Sequence, residues 1–143
     1  MKVTILQRNI EWANPLLNVQ RADEAIDRNP GADLYVLPEM FSTGFCTNPE
    51  GIAESTESDT LQWMKDKARA IDAAIAGSIA VTQDGKYYNR FYFVKPDGEV
   101  TWYDKKHLFT YGGEHKRFTA GSERVVVEWR GVRILLEVCY DLR

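Results

Sequence analysis

Apolar positions at helical spacing alternate with short apolar runs along the first half of the chain, and β-rich runs dominate the second half. Val3 to Leu6 is a short β-rich run. Asn14-Pro15 reads as a helix N-cap followed by proline at the first helical position. Leu16, Val19, Ala22 and Ile26 follow at spacings of three and four, which predicts an amphipathic helix ending before Asn29-Pro30-Gly31. Leu34 to Leu37 is a continuous apolar run, the pattern of a strand buried on both faces. Thr56 and Ser58 offer caps for a second helix with Leu61, Met64, Ala68 and Ile71 on one face. Ala73 to Val81 is the next strand, and Asp84-Gly85 is a hairpin signal leading into Tyr87 to Val94. Pro96-Asp97-Gly98 turns into Val100 to Tyr103. A glycine-rich, charged loop covers about Lys106 to Glu123, and Val125 to Trp129 and Val132 to Val138 form a last hairpin across Arg130-Gly131.

This order, β-α-β-α-β and then a series of hairpins, predicts an α/β fold with a mixed sheet and both helices on one face. The opposite sheet face is also apolar along the central strands, so something must cover it, and the sequence offers no third helix for that. Repeats, low-complexity segments and linkers are absent.

Composition narrows the function classes. The 143 residues fit one domain, with 44% hydrophobic and 27% charged residues, the mix of a globular protein. Eighteen Lys and Arg against 21 Asp and Glu leave a net charge of −3, which argues against a generally basic nucleic-acid binder. No apolar run approaches the roughly 20 residues that span a bilayer. The first apolar stretch is broken by Gln7, Arg8 and Asn9, so a signal peptide is not expected, and Cys46 and Cys139 are too few for a disulfide framework. A cytoplasmic protein with free thiols, no nucleic-acid partner and no membrane partner is the expectation.

Three segments carry candidate chemistry. Glu39 follows the Leu34–Leu37 strand and Pro38, at the strand end where α/β sheets place ligands. Lys105 follows the Val100–Tyr103 strand, where a fixed cation can face an oxyanion. Cys139 follows the last β-run, and a thiol becomes a strong nucleophile when a nearby base takes its proton. Taken singly these read as a solvated glutamate, a solvated lysine pair and a core cysteine. Together, each at the end of a β-run in one expected sheet, they are the parts for acyl transfer through a thioester.

Leu37-Pro38-Glu39-Met40-Phe41, Tyr103-Asp104-Lys105-Lys106-His107-Leu108-Phe109 and Val138-Cys139-Tyr140-Asp141-Leu142-Arg143 resemble, in order and relative spacing, the three signatures of the nitrilase superfamily of carbon–nitrogen hydrolases. Met40 to Phe45, Asn89-Arg90-Phe91, Glu114-His115 and Val127 to Gly131 are most similar to its bacterial ω-amidase branch. The resemblance implies a four-layer α-β-β-α sandwich of which residues 1–143 are about the first half: the N-terminal part of a single domain that continues past the Cys motif with further strands and two more helices. It implies a homodimer for the full-length protein. It also implies an amidase that hydrolyses a small ω-amide of the 2-oxoglutaramate or 2-oxosuccinamate type to the acid and ammonia. Glu39 is then the general base, Lys105 the oxyanion cation and Cys139 the nucleophile. Tyr140 contributes a backbone N–H to the oxyanion, and Glu114 orients Lys105. No metal or organic cofactor is required.

Phe41 and Phe45, close after Glu39, are candidates to line the substrate pocket, as is His107, which also reads as a residue that orders the loop after Lys105. His107 and His115 lack a third ligand at useful spacing, so a zinc site is not expected. Arg90 reads as a structural strand residue, and Tyr87 to Phe93 as strand packing without a basic groove. Two rivals remain. One is another amide or carbamoyl hydrolase of the same superfamily; the other, of a different class, is an inactive fragment or interaction module that needs a partner to fold.

Overall fold

The computed structural model describes all residues, Met1–Arg143. Its elements run β1 (Val3–Ile5), α1 (Pro15–Asp27), β2 (Leu34–Val36), β3 (Glu54–Ser55), α2 (Asp59–Ile71), β4 (Ala74–Gln83), β5 (Lys86–Val94), β6 (Val100–Asp104), β7 (Val126–Trp129) and β8 (Val132–Leu135). The main sheet has the order β1-β2-β4-β5-β6, with β3 pairing the far end of β4. β1, β2 and β4 are parallel, and β4, β5 and β6 antiparallel, so the sheet is mixed as the pattern predicts. The parallel half follows from the helical crossovers and the antiparallel half from tight turns. Asp84-Gly85 at the β4–β5 turn both have positive φ, the two-residue geometry that matches strand twist.

Both helices start where the sequence places their caps. Asn14 accepts from the Leu17 N–H at 3.2 Å and Ser58 from the Leu61 N–H at 3.2 Å. Ala22, Ile26, Leu61, Met64 and Ala68 pack on one sheet face against Tyr35, Ile75, Ile79 and Val81. Lys67 links the helices, with Nζ 3.0 Å from Asp23 and 2.8 Å from Asp27. One expectation fails in α1: Leu16 is 83% exposed. Asn18 is buried there instead, donating to the Glu11 and Ser42 carbonyls at 2.7 Å each and accepting from the Glu11 N–H at 2.8 Å. Helical spacing does not register that a fully bonded amide can be buried.

The opposite sheet face is partly covered without a third helix. β7 and β8 form a separate two-stranded sheet. Val127, Leu136 and Val138 from this segment pack on Leu34, Ala74, Ala76, Phe93 and Tyr103 of the main sheet. The expectation that the Cys139 strand joins the same sheet as the other two motifs is therefore corrected. The Arg130-Gly131 hairpin closes on itself as a second layer, held by the Arg130 contacts to Asp33 and Asp72 and by the Trp129 indole donating to the Asp33 carbonyl at 2.8 Å.

Candidate active site

Glu39 is aimed by the strand before it and the turn after it. Beyond Val36 the pairing with β4 continues for one bond, Leu37 N–H to the Ala76 carbonyl at 2.7 Å. The chain then bends at Met40, whose φ of 47° is in the left-handed region. Ser78 fastens that bend, its hydroxyl accepting from Met40 N–H at 2.8 Å and its carbonyl from Phe41 N–H at 3.1 Å.

Lys105 follows β6 and is held at both ends of its backbone: its N–H donates to the Asn89 carbonyl at 2.9 Å and its carbonyl accepts from Gly121 N–H at 3.0 Å. Its side chain is completely buried, with Nζ 2.8 Å from Glu39 Oε1 and 3.0 Å from Glu114 Oε2. Burial alone would lower the ammonium pKa, but the hydrogen bonds and charges of Glu39 and Glu114 outweigh it and hold it above the ordinary lysine value. Glu114 is also fully buried and accepts from the Phe109 N–H at 2.6 Å.

Asn89, on β5, completes this cluster. Its Nδ2 donates to Glu39 Oε1 at 2.8 Å and to Glu114 Oε1 at 3.0 Å. Two carboxylates thus share one ammonium and one amide, so their mutual repulsion is offset without a second cation. In the sequence Asn89 stands out only within the Asn89-Arg90-Phe91 part of the resemblance. The available signal is an amide inside an apolar strand, which must find partners when buried.

Cys139 arrives from the second layer. It opens a single 3-10 turn, Cys139–Leu142, with a φ of 47°. The thiol is exposed to a cleft of about 540 Å³ that Glu39, Lys105 and Cys139 all line. Its walls are aromatic: Phe45, Phe109, Tyr111 and Tyr140. Phe109 lies 5.6 Å from the Tyr140 ring and 6.3 Å from Phe45, and the Lys105 ammonium sits 5.8 Å from the Phe45 ring centre. Partial burial and then the Glu39 charge push the Cys139 thiol above its ordinary value, while Lys105 pulls it down. The thiol therefore holds its proton more firmly than an ordinary cysteine does.

Of the residues singled out in the sequence, Glu39, Lys105, Cys139, Tyr140 and Phe45 line this cleft, and Glu114 sits behind it against Lys105. Phe41 does not: it is buried in the core, 6.2 Å from Trp63 and packed over Gly77, because the turn at Met40 sends it to the helix side of the sheet. His107 is also outside the cleft. Its backbone N–H and Nδ1 meet Asp141 Oδ1 at 2.8 and 3.0 Å, so it orders the loop and does not line the pocket. Arg90 is structural, paired with both Asp104 oxygens at 2.7 and 2.9 Å and lying between Tyr88 and Trp102. Cys46 is a buried free thiol beside Met40, pushed up to about 11 by burial and by the Glu114 charge.

Residues 2–143 match the carbon-nitrogen hydrolase family. The chain is 44% identical over 144 residues to Omega-amidase YafV of Escherichia coli (strain K12), an alignment covering 100% of this chain and 56% of that protein. It is 35% identical over 149 residues to 2-oxoglutaramate amidase of Bacillus subtilis (strain 168), covering 100% of this chain and 58% of that one. Among solved structures, XC1258 of Xanthomonas campestris, a CN-hydrolase superfamily protein with an arsenic adduct in the active site, superposes with a TM-score of 0.95 at 37% identity. That superposition covers 99% of this chain and 54% of the other. The chain spans about half the length of the curated relatives it matches.

Proposed function

The chain belongs to the carbon–nitrogen hydrolase family, and from that premise we propose that its cleft performs the amidase reaction on a small ω-amide of the 2-oxoglutaramate or 2-oxosuccinamate type. The observation that carries this is the meeting of Glu39, Lys105 and Cys139 at one cleft, with a lysine clamped between two glutamates. The names of two relatives, an omega-amidase and a 2-oxoglutaramate amidase, support the substrate class.

The chemistry runs as an acyl transfer in two halves. Glu39 accepts the Cys139 proton as the sulfur attacks the amide carbon, since a thiol of raised pKa needs a base at the moment of attack. The carbonyl oxygen gains negative charge, which the Lys105 ammonium and the Tyr140 backbone N–H stabilise. The C–N bond breaks, Glu39 returns the proton to nitrogen, and ammonia leaves a thioester on Cys139. Glu39 then takes a proton from water, whose oxygen attacks the thioester carbon. The C–S bond breaks, the sulfur regains a proton and the acid departs. Asn89 and Glu114 keep Glu39 and Lys105 in register, since three further hydrogen bonds, two from the Asn89 amide and one from the Phe109 N–H, hold the glutamates.

A substrate panel tests the class. Ammonia release by the complete protein is expected to be fastest with 2-oxoglutaramate or 2-oxosuccinamate among amides, nitriles and N-carbamoyl amino acids. A nitrile or carbamoyl compound turned over with higher kcat/KM contradicts the ω-amide reading.

A further inference from the structure

Asp141 lies two residues beyond Cys139 and outside the cleft lining, and its side chain is only 2% exposed. Both its oxygens are used. Oδ2 accepts from the Val138 N–H at 2.9 Å and from the Tyr103 hydroxyl at 2.9 Å. Oδ1 accepts from the His107 N–H at 2.8 Å and meets His107 Nδ1 at 3.0 Å. The Tyr103 hydroxyl in turn accepts from the Lys106 N–H at 3.0 Å.

The placement of these partners matters more than their number. Val138 directly precedes Cys139, whereas Tyr103, Lys106 and His107 bracket Lys105 in the chain. A residue that only capped the Cys139–Leu142 turn would bond Val138 and stop there. Asp141 instead fastens the segment carrying Cys139 to the segment carrying Lys105. The two come from different sheets, and no strand pairing joins them. Cys139 also needs holding, because a φ of 47° is sparsely populated for a residue with a side chain. Tyr103 suits the role: burial first of all pushes its hydroxyl up to about 12, so it remains a donor at working pH.

We propose that Asp141 is a positioning residue for the reaction, a carboxylate clasp with Tyr103 that sets where the Cys139 sulfur stands relative to Lys105. The proposal rests on the reading of Cys139 as nucleophile. Displacement of a reacting atom by about 1 Å can cost about 10²-fold in rate. The loss belongs in kcat, since substrate contacts with the cleft are untouched.

The test uses the complete protein with Asp141→Asn, which keeps the shape but turns an NH₂ toward converging donors, and Tyr103→Phe, which removes one bond and keeps the ring. Folding is checked by melting curves, and kcat, KM and the rate of Cys139 alkylation by iodoacetamide are measured. For Asp141→Asn the expected result is a kcat lower by about 10²-fold, with KM within about threefold and alkylation altered by about tenfold or more. Tyr103→Phe shows the same split at about five- to tenfold, and it decides the matter if Asp141→Asn does not fold. Folded variants whose kcat and alkylation rate stay within about twofold of the parent overturn the clasp. Cys139→Ala, run beside them, separates the two claims. If it keeps ammonia release, the nucleophile reading falls and the clasp with it. If it loses activity while both clasp variants behave as the parent, only the clasp falls.

Discussion

The Glu39 charge bears on the Cys139 thiol, and that influence can be measured on single residues. Partial burial and the Glu39 charge raise the thiol pKa, with Lys105 opposing. Removing the Glu39 charge removes one of the causes that hold the proton on sulfur. In Glu39→Gln the Cys139 thiolate, followed by its ultraviolet absorbance on titration, is therefore expected to form at lower pH than in the parent. Ammonia release nevertheless falls by about 10²-fold or more, because the base has gone. A thiolate midpoint that stays put or moves upward contradicts the electrostatics drawn here. Asn89 shows why part of this cluster was not legible in the sequence. A strand amide has no motif of its own, and its role exists only once β5 places it between Glu39 and Glu114. Phe41 shows the converse: nearness to Glu39 in sequence suggested the pocket, and the left-handed bend at Met40 sent the ring into the core.

At the level of elements, the sheet aims the carboxylate, and its tolerance is small. A Cβ built on Gly77 of β4 would come within 2.9 Å of both Leu37 Cβ and Phe41 Cδ1, the residues on either side of Pro38–Met40. Gly77→Ala must therefore push back the turn that carries Glu39. The expected cost is about 1–3 kcal/mol in a urea melt, the usual range for overpacking, together with reduced kcat. Unchanged stability and activity would mean that the turn is not set by this contact. The parallel and antiparallel halves of the sheet, both helix starts and the hairpin turns were legible, because caps, periodicity and Asp-Gly or Arg-Gly turns are local signals. The assignment of β7 and β8 to a second layer was not. Both layers use the same apolar alternation, and only tertiary packing against Leu34, Ala76 and Phe93 separates them.

Across the whole molecule, the site is a meeting of two layers. Glu39, Lys105 and Asn89 come from the main sheet, Glu114 from the loop after it, and Cys139 from the chain that leaves the second sheet. Three short motifs foreshadowed this convergence because each follows a β-run, although they do not share one sheet. No helix is long and apolar enough to cross a membrane. The chain spans about half the length of its curated relatives, so activity belongs to experiments on the complete protein. The central claim is that the thiol of Cys139, and not the buried thiol of Cys46, attacks the amide. Ammonia release from 2-oxoglutaramate by folded Cys139→Ala and Cys46→Ala proteins tests it most directly. The account predicts a loss of roughly 10⁴-fold or more for Cys139→Ala and activity within about threefold of the parent for Cys46→Ala. Parent-like ammonia release by folded Cys139→Ala would contradict it.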